Sequence, residues 1–352
     1  MKCGSINDYD LIQARSLLLK SQNPLLDVHF LSHGHATLKD VDESAQFYRD
    51  FLGLDVVKTS PRTLVARLGS NTVIVGVTIG EKGLAKAHRP WLENAHFGFD
   101  MVMADEVKEA RELSLENRAA FKIQNVSDIV ESDEGLSFML VDQDGNYWQI
   151  LENPVAGYSD HFGDTCDTGP ALRGVDVDDQ RTSILKPRLM SHMTCEVIDL
   201  QKSREFYEEM FGFEIVQLNP KRMLARLNSV AVIDIIETDT AVREHKMHNH
   251  MGFDMAGPEM VDAAREIIVE NQDRFGFRII HKISASHGSY GFTFSDLDEN
   301  AWQIEDYPSG GYYWMFEQGG DLKNPFQPNI EGVEDWHDLL DPETYEYRNP
   351  SK

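Results

Sequence analysis

Cysteine and long hydrophobic runs are both scarce in this sequence. Only Cys3, Cys166 and Cys195 occur among 352 residues, and none has C-x-x-C spacing. An odd, scattered set argues against a disulfide framework or a zinc knuckle and favours a reducing compartment. The chain lacks a run of about 18 apolar residues, and its first residues lack the basic stretch and cleavage site of a signal peptide. We therefore expect a cytoplasmic protein.

Basic residues are also few. The 33 Lys and Arg residues are outnumbered by 59 Asp and Glu residues, which gives a formal charge of −26. Such a charge opposes binding to nucleic-acid phosphates or to an anionic membrane surface. We expect neither of these as a partner.

The most prominent feature that is present is a long internal repeat. LSHGHATLKDVDESAQFYRDFLGL at 31–54 returns as MSHMTCEVIDLQKSREFYEEMFGF at 190–213, and DQDGNYWQI at 142–150 returns as DLDENAWQI at 296–304. A repeat of this length indicates two homologous domains. The predicted organisation is a helical N-terminal extension at 1–26, a first domain at 27–155, a linker at 156–185, a second domain at 186–308, and an acidic, aromatic tail at 309–352.

Hydrophobic periodicity predicts the structure inside each repeat. A strand precedes an amphipathic helix, and three short β-branched runs with turn signals between them follow. The second half of each repeat restates this βαβββ order. We predict an α+β fold of two tandem domains, each made of two βαβββ modules that form a cupped, partly open barrel around a pocket.

These patterns resemble the vicinal oxygen chelate superfamily, which includes glyoxalases, bleomycin-resistance proteins and extradiol dioxygenases. The resemblance rests on a first strand that begins with histidine, a second of the form H-x-x-F, and a D-x-D-G-N turn. In metal-binding members, two histidines and a glutamate converge inside the cup. The resemblance places the histidines at His33 and His96 in the first repeat and at His192 and His250 in the second.

The glutamate position departs from the family pattern, because Gln149 and Gln303 occupy it. A glutamine donates a carbonyl oxygen but no negative charge, so metal binding weakens or changes selectivity. The second repeat has more acids nearby, and Asp234 occupies a position where glyoxalases carry a further glutamate ligand. We therefore predict a divalent metal, Fe(II) with Mn(II) or Zn(II) as alternatives, on His192, His250, Gln303 and Asp234. The set His33, His96 and Gln149 is the alternative site, or a second one.

Extradiol dioxygenases also use a histidine and a tyrosine beside the metal. Thr293 stands at the tyrosine position, so the candidates for acid–base catalysis are His245, His248 and Tyr290. The aromatic cluster YYWMF at 312–316 follows the last strand and could close the pocket.

The resemblance implies a metal-dependent, dioxygenase-like oxidoreductase. Its substrate would be a small aromatic, catechol-like or enolic molecule that chelates the metal, with dioxygen as the second substrate. The alternatives are a redox-neutral isomerase or lyase of the glyoxalase type, and a metal-free binding protein of the resistance type. Open sheet edges and the aromatic tail favour a homo-oligomer.

Overall fold

The computed structural model describes residues 24–78, 95–154, 157–162, 181–239, 250–286, 289–306, 312, 315–316 and 320–322. They contain four modules, at 30–78, 97–152, 189–237 and 251–306, which we number 1 to 4 in chain order. Each module has a first strand, a helix and further strands, as the periodicity predicted.

Modules 1 and 2 make up the first repeat. Module 1 contains β1 (Phe30–Leu38), α1 (Val41–Gln46, continued by a π-helical turn at Phe47–Phe51), β2 (Asp55–Ser60), β3 (Thr63–Arg67) and β4 (Val73–Thr78). Module 2 contains β5 (Phe97–Met101), α2 (Ala104–Glu116), β6 (Asn125–Val126), β7 (Val130–Ser132), β8 (Gly135–Val141) and β9 (Tyr147–Glu152). A short 3-10 helix follows at Ser159–Phe162.

Modules 3 and 4 make up the second repeat. Module 3 contains β10 (Leu189–Val197), α3 (Leu200–Phe211), β11 (Glu214–Asn219), β12 (Arg222–Arg226) and β13 (Val232–Glu237). Module 4 contains β14 (Met251–Asp254), α4 (Pro258–Glu270), α5 (Gln272–Phe275), β15 (Ser284–Ser286), β16 (Ser289–Ser295) and β17 (Ala301–Asp306).

The modules pair across the two repeats. One sheet has the order β15-β16-β17-β14-β1-β4-β3-β2 and joins module 1 to module 4. The other has the order β11-β12-β13-β10-β5-β9-β8-β6, with β7 paired to β8, and joins module 2 to module 3. This pairing differs from the expectation that consecutive modules share a sheet, and it decides which side chains meet.

Consecutive modules are instead joined through the core beneath the sheets. The indole of Trp148 in module 2 packs 5.2 Å from the ring of Tyr48 in module 1, and Trp302 in module 4 lies 5.6 Å from Tyr207 in module 3. These rings belong to one continuous buried cluster. Each predicted repeat therefore shares a hydrophobic core, while each sheet takes one module from each repeat.

The D-x-D-G-N turn clamps consecutive modules together. Ser44 donates a hydrogen bond to Asp144 Oδ2 over 2.6 Å, and Ser203 donates to Asp298 Oδ2 over 2.8 Å. The first aspartate of the turn, Asp142, accepts from the indole of Trp148 over 2.9 Å. The serine and aspartates of the family motifs thus have a structural role here.

Each sheet has one face against helices and one face that carries polar residues, because strand residues alternate between faces. Trp302 and Ile304 of β17 enter the helix-covered core, whereas Gln303 and Glu305 face the other side. The sheets are open at their edges. The predicted α+β class, with cupped sheets built from βαβββ modules, is confirmed. Among the described residues, no helix is both long and apolar enough to cross a membrane.

Candidate metal centres in two cups

The polar face of the eight-stranded sheet gathers three histidines, which we call the His33 cup. His33 and His35 project from β1, and His250 immediately precedes β14. Their ligand-type nitrogens all lie within 4.8 Å of one another. Gln303 of β17 directs its amide oxygen at both flanking rings, 3.2 Å from His33 Nε2 and 2.6 Å from His250 Nε2.

The proton on His33 can be assigned from its neighbours. Ser32 Oγ lies 3.0 Å from the carbonyl oxygen of Gly252, which can only accept, so the single serine proton is used there. The same oxygen lies 2.9 Å from His33 Nδ1 and must therefore accept from it. Neutral His33 then carries its hydrogen on Nδ1, and the lone pair of Nε2 faces the Gln303 oxygen.

His33 is held in the neutral form. It is fully buried, and burial, followed by the nearby charge of His250, keeps its pKa well below the usual value. Glu305 Oε1 lies 3.2 Å from His33 Nδ1, so this contact is a hydrogen bond from a neutral ring. Burial raises the pKa of the Glu305 carboxyl to about 7, while hydrogen bonds from Tyr312 and Ser289 oppose the shift.

An apolar wall and three described side chains that follow β17 in the sequence enclose the His33 cup. Val57, Val65, Val73 and Val75 form the wall, and Tyr312, Met315 and Leu322 pack on it. The ring of Tyr312 meets His33 edge to face, with centroids 5.1 Å apart. The sequence prediction that the 312–316 cluster could close a pocket therefore agrees with the contacts of its described residues.

The second sheet carries an equivalent set, which we call the His192 cup. His96 Nε2 lies 3.1 Å from His192 Nε2 and 3.2 Å from Gln149 Oε1. Tyr158 takes the place of Tyr312, with its hydroxyl 3.5 Å from His192 Nδ1. Burial, then the charges of His96 and Arg222, hold the pKa of His192 well below its usual value.

The two cups differ at three equivalent positions. Thr194 replaces His35, and Leu151 replaces Glu305. Asp234 stands in the His192 cup where Val75 stands in the other, and Arg222 Nε donates to both of its oxygens over 2.8 and 3.1 Å. Desolvation raises the pKa of Asp234, and the Arg222 guanidinium opposes that shift. The His192 cup thus contains an Arg222–Asp234 ion pair and has a threonine in place of the third imidazole.

The structure divides the predicted ligand set between the cups. His250 and Gln303 lie in the His33 cup, whereas His192 and Asp234 lie in the His192 cup. The alternative set is divided in the same way, because His33 is in one cup and His96 and Gln149 are in the other. The physical reason is the cross-pairing of modules, which brings β1 against β14 and β10 against β5.

The predicted catalytic residues have different outcomes. Tyr290 lies on the helix-covered face of its sheet, where its hydroxyl donates to Asp262 of α4 over 2.9 Å. This position separates Tyr290 from the histidines. His245 and His248 lie outside the described residues.

Sequence reasoning missed the serines that orient the histidines and the tyrosines that cover them. Ser32 and Ser191 each precede a first-strand histidine, and Ser191 Oγ lies 3.1 Å from His192 Nδ1. Tyr158 and Tyr312 stand 154 residues apart, which is the offset of the second half of the repeat. Their recurrence at the repeat offsets was the available signal.

The family model of the Glyoxalase/Bleomycin resistance protein/Dioxygenase superfamily matches residues 189–304, which span modules 3 and 4. This confirms the resemblance predicted from the histidine strands and the D-x-D-G-N turn. No curated protein is significantly similar to the sequence.

Solved structures share the fold over most of the chain. A Bacillus subtilis subsp. subtilis str. 168 protein, assigned provisionally as a dioxygenase, is 15% identical with a TM-score of 0.55; the match covers 93% of this chain and 96% of that one. Glyoxalase I from Zea mays is 14% identical with a TM-score of 0.51, over 79% of this chain and 92% of that one. At these identities the likeness concerns the fold.

Proposed function

We propose that this protein is a metal-dependent enzyme whose divalent ion is held in the His33 cup by His33, His35, His250 and Gln303. The observation that carries the proposal is the convergence of three histidine ligand atoms within 4.8 Å of one another. The Gln303 amide oxygen, within 3.2 Å of two of the rings, supplies a fourth donor. This assignment replaces the predicted set that joined His192 and Asp234 to His250.

The proton arrangement supports a cation at this point. The Nε2 lone pair of neutral His33 faces the lone pairs of the Gln303 oxygen at 3.2 Å. Two acceptors at that distance repel each other unless a positive charge lies between them. Because the pKa of His33 is held low, a second proton on the ring is a poor source of that charge. Both atoms would serve as ligands of a divalent ion, whose charge would satisfy both lone pairs.

The contrast with the His192 cup supports the choice of site. There His96 Nε2 can donate directly to His192 Nε2 over 3.1 Å, so the two rings satisfy each other. The partly buried Arg222 guanidinium also donates to both oxygens of Asp234, so this predicted ligand is already held by an arginine. We therefore propose one metal per chain.

The substrate class follows from the donors and the wall. Imidazole and amide ligands suit ferrous iron, with manganese or zinc as alternatives. When bound, such an ion supplies Lewis acidity to two adjacent oxygens of an aromatic or enolic substrate and, as ferrous iron, redox chemistry with dioxygen. The valine wall and Tyr312 exclude water from the His33 side of the cup. We propose a dioxygenase acting on a small catechol-like or enolic molecule.

A redox-neutral isomerase or lyase is the second candidate, and Thr293 favours it. Thr293 lies opposite Gln303 on β16, at the position where the extradiol pattern expects a tyrosine. Its hydroxyl is 2.7 Å from His281 Nδ1, so Thr293 and His281 form a hydrogen bond. Such a pair is suited to moving a proton on an enolic substrate.

Metal content tests the proposal, and the two cups provide matched variants. Protein reconstituted anaerobically with Fe(II) should contain close to one ion per chain. His33→Ala with His250→Ala should abolish binding, whereas His96→Ala with His192→Ala should retain it. The reverse pattern would move the site to the His192 cup. Wild type without metal would instead identify a binding protein of the resistance type.

Substrate turnover separates the two enzymatic candidates. Loaded protein should be supplied with substituted catechols while dioxygen consumption is recorded, and with enolisable ketones while proton exchange is followed by NMR. Oxygen uptake that is lost in the His33 and His250 double variant supports the dioxygenase. Exchange without oxygen uptake supports the isomerase.

A further inference from the structure

We propose that Glu305 supplies the negative charge that Gln303 does not, and that it does so through His33 and not as a direct ligand. This inference rests on the proposed metal site in the His33 cup. It assigns Glu305 and its partner Tyr312 as positioning residues. The carboxylate of the site would then be hydrogen-bonded to a metal ligand and would not contact the metal itself.

The geometry of β17 puts Glu305 in reach of His33. Residues 303 and 305 share the polar face of the strand because side chains alternate. The Glu305 carboxylate is almost fully buried and lies 3.2 Å from His33 Nδ1. That nitrogen carries the hydrogen, as the Ser32 contacts require. Glu305 therefore accepts from the ring edge opposite the nitrogen that faces Gln303.

Tyr312 fixes the carboxylate in place. Its hydroxyl donates to Glu305 Oε1 over 2.9 Å, and its ring packs edge to face on His33. Further along the chain, Asp321 pairs with Arg49 over 2.5 Å. The position of Tyr312 and the orientation of the histidine are thus connected through one carboxylate.

The His192 cup serves as an internal comparison. Leu151 occupies the position of Glu305, and Tyr158 approaches His192 Nδ1 directly at 3.5 Å. That cup therefore keeps the histidines and the glutamine but lacks the carboxylate beside the ring. The described residues thus place a carboxylate beside the first-strand histidine in the His33 cup, whereas the carboxylate of Asp234 in the His192 cup is paired with Arg222.

The expected electrostatic effect is substantial. A carboxylate that accepts from the far nitrogen of a ligating histidine fixes its tautomer and raises its basicity. Loss of such a partner typically lowers metal affinity by about 10- to 100-fold. In this protein the effect should be at the upper end, because the ligands themselves are neutral and the site is buried.

The test measures Co(II) affinity of the full chain by competition with a chromophoric chelator. Wild type should bind one Co(II), and Glu305→Gln and Glu305→Leu should each bind it 10- to 100-fold more weakly. Leucine is the residue of the equivalent position 151, and glutamine keeps the size of the side chain. Tyr312→Phe should weaken binding less than either. Glu152→Gln, at the equivalent end of β9 in the other sheet, is the matched control and should leave affinity unchanged.

The outcomes separate this inference from the proposal beneath it. Wild-type affinity in both Glu305 variants would overturn the role of Glu305 while leaving the metal site intact. Absence of Co(II) binding in wild type would overturn the metal site, and this inference with it. Circular dichroism and the Co(II) absorption spectrum of the Glu305 variants distinguish a changed ligand environment from a damaged fold. A purely structural role of Glu305 would alter the circular dichroism spectrum and leave the Co(II) spectrum unchanged.

Discussion

The imidazole of His33 lies against the Cα of Gly252 on the neighbouring strand. A Cβ at residue 252 would be 2.0 Å from His33 Cε1, and a Cβ at Gly98 would be 1.9 Å from His192 Cε1. Both contacts are far shorter than any van der Waals separation. The glycine of each H-x-G-F strand therefore exists to admit a histidine ring from a module in the other repeat.

Gly252→Ala should displace the His33 ring and disturb the proposed metal site. We expect a loss of about 1–3 kcal/mol in the free energy of unfolding, the usual range for overpacking, and loss of bound metal. Urea denaturation and metal analysis measure the two effects. Gly98→Ala should cause a similar loss of stability in the other cup but leave the metal in place; metal loss in both variants would contradict the assignment to one cup.

Glu299→Gly should stabilise the protein. Glu299 has φ of 69°, in the left-handed region, where the equivalent Gly145 has φ of 97°. A side chain there costs about 1 kcal/mol or more, and the loss of its exposed pairing with Arg278 offsets little of the gain. We expect a gain of about 0.5–1 kcal/mol in unfolding free energy by urea titration. An unchanged or lowered stability would show that the Arg278 pairing outweighs the backbone strain.

Ser44→Ala and Ser203→Ala should destabilise the chain by similar amounts. Each serine donates to a buried aspartate of the next module, over 2.6 and 2.8 Å. A hydrogen bond to a charged group contributes about 1.5–3 kcal/mol, so each variant should lose a stability in that range. Ser132, whose exposed hydroxyl bonds only to the backbone of its own turn over 3.2 and 3.3 Å, provides the control, and Ser132→Ala should cost much less. A loss restricted to one repeat would mean that the two clamps are not equivalent.

Asp100 should make stability fall as the pH rises. It accepts from Asn153 Nδ2 over 3.0 Å and from the backbone amide of Gly157, and burial raises its pKa to about 7 from 3.8. The folded state therefore binds this proton more tightly than the unfolded state does. The stability gained is complete below pH 4 and is lost as pH rises through 7.

The comparison of wild type with Asp100→Asn checks this effect. The unfolding free energy of wild type should decrease between pH 5 and 8, and other buried carboxyls such as Asp296, whose pKa is also raised to about 7 by burial, add to the decrease. Asp100→Asn should show a shallower slope over the same range. If the unfolding free energy of the two proteins had the same slope against pH, Asp100 would not contribute to the pH dependence of stability.

Much of the fold could be predicted because its signals are local. The predicted face around His33 and His35 follows strand alternation, and the observed burial of Val73 and Val75 on that face obeys the same rule. Asp40 and Asp199 cap α1 and α3 through bonds to backbone amides two or three residues away. Contacts of this kind depend on a few neighbouring residues, so the repeated sequence reproduces them in both halves.

The candidate site was harder to predict because its members are far apart in sequence. Gln303 meets His33 across 270 residues, and Ser32 meets Gly252 across 220. Periodicity predicted that the histidines and glutamines face a pocket, but it did not indicate which of the two cups each side chain enters. Tyr290 illustrates the same limit, since a position one residue away on β16 would have put its hydroxyl on the polar face.

The sequence by itself determined the repeat, the four βαβββ modules and the histidines of each first strand. The tertiary structure decided which modules share a sheet. The motif H-x-G-F-D begins at the residue before β5 and at the residue before β14. Either strand therefore offers β1 or β10 the same glycine and the same pattern of backbone hydrogen bonds. The local pairing energies are therefore nearly equal, and only the packing of the whole chain brings His33 to His250 and His192 to His96.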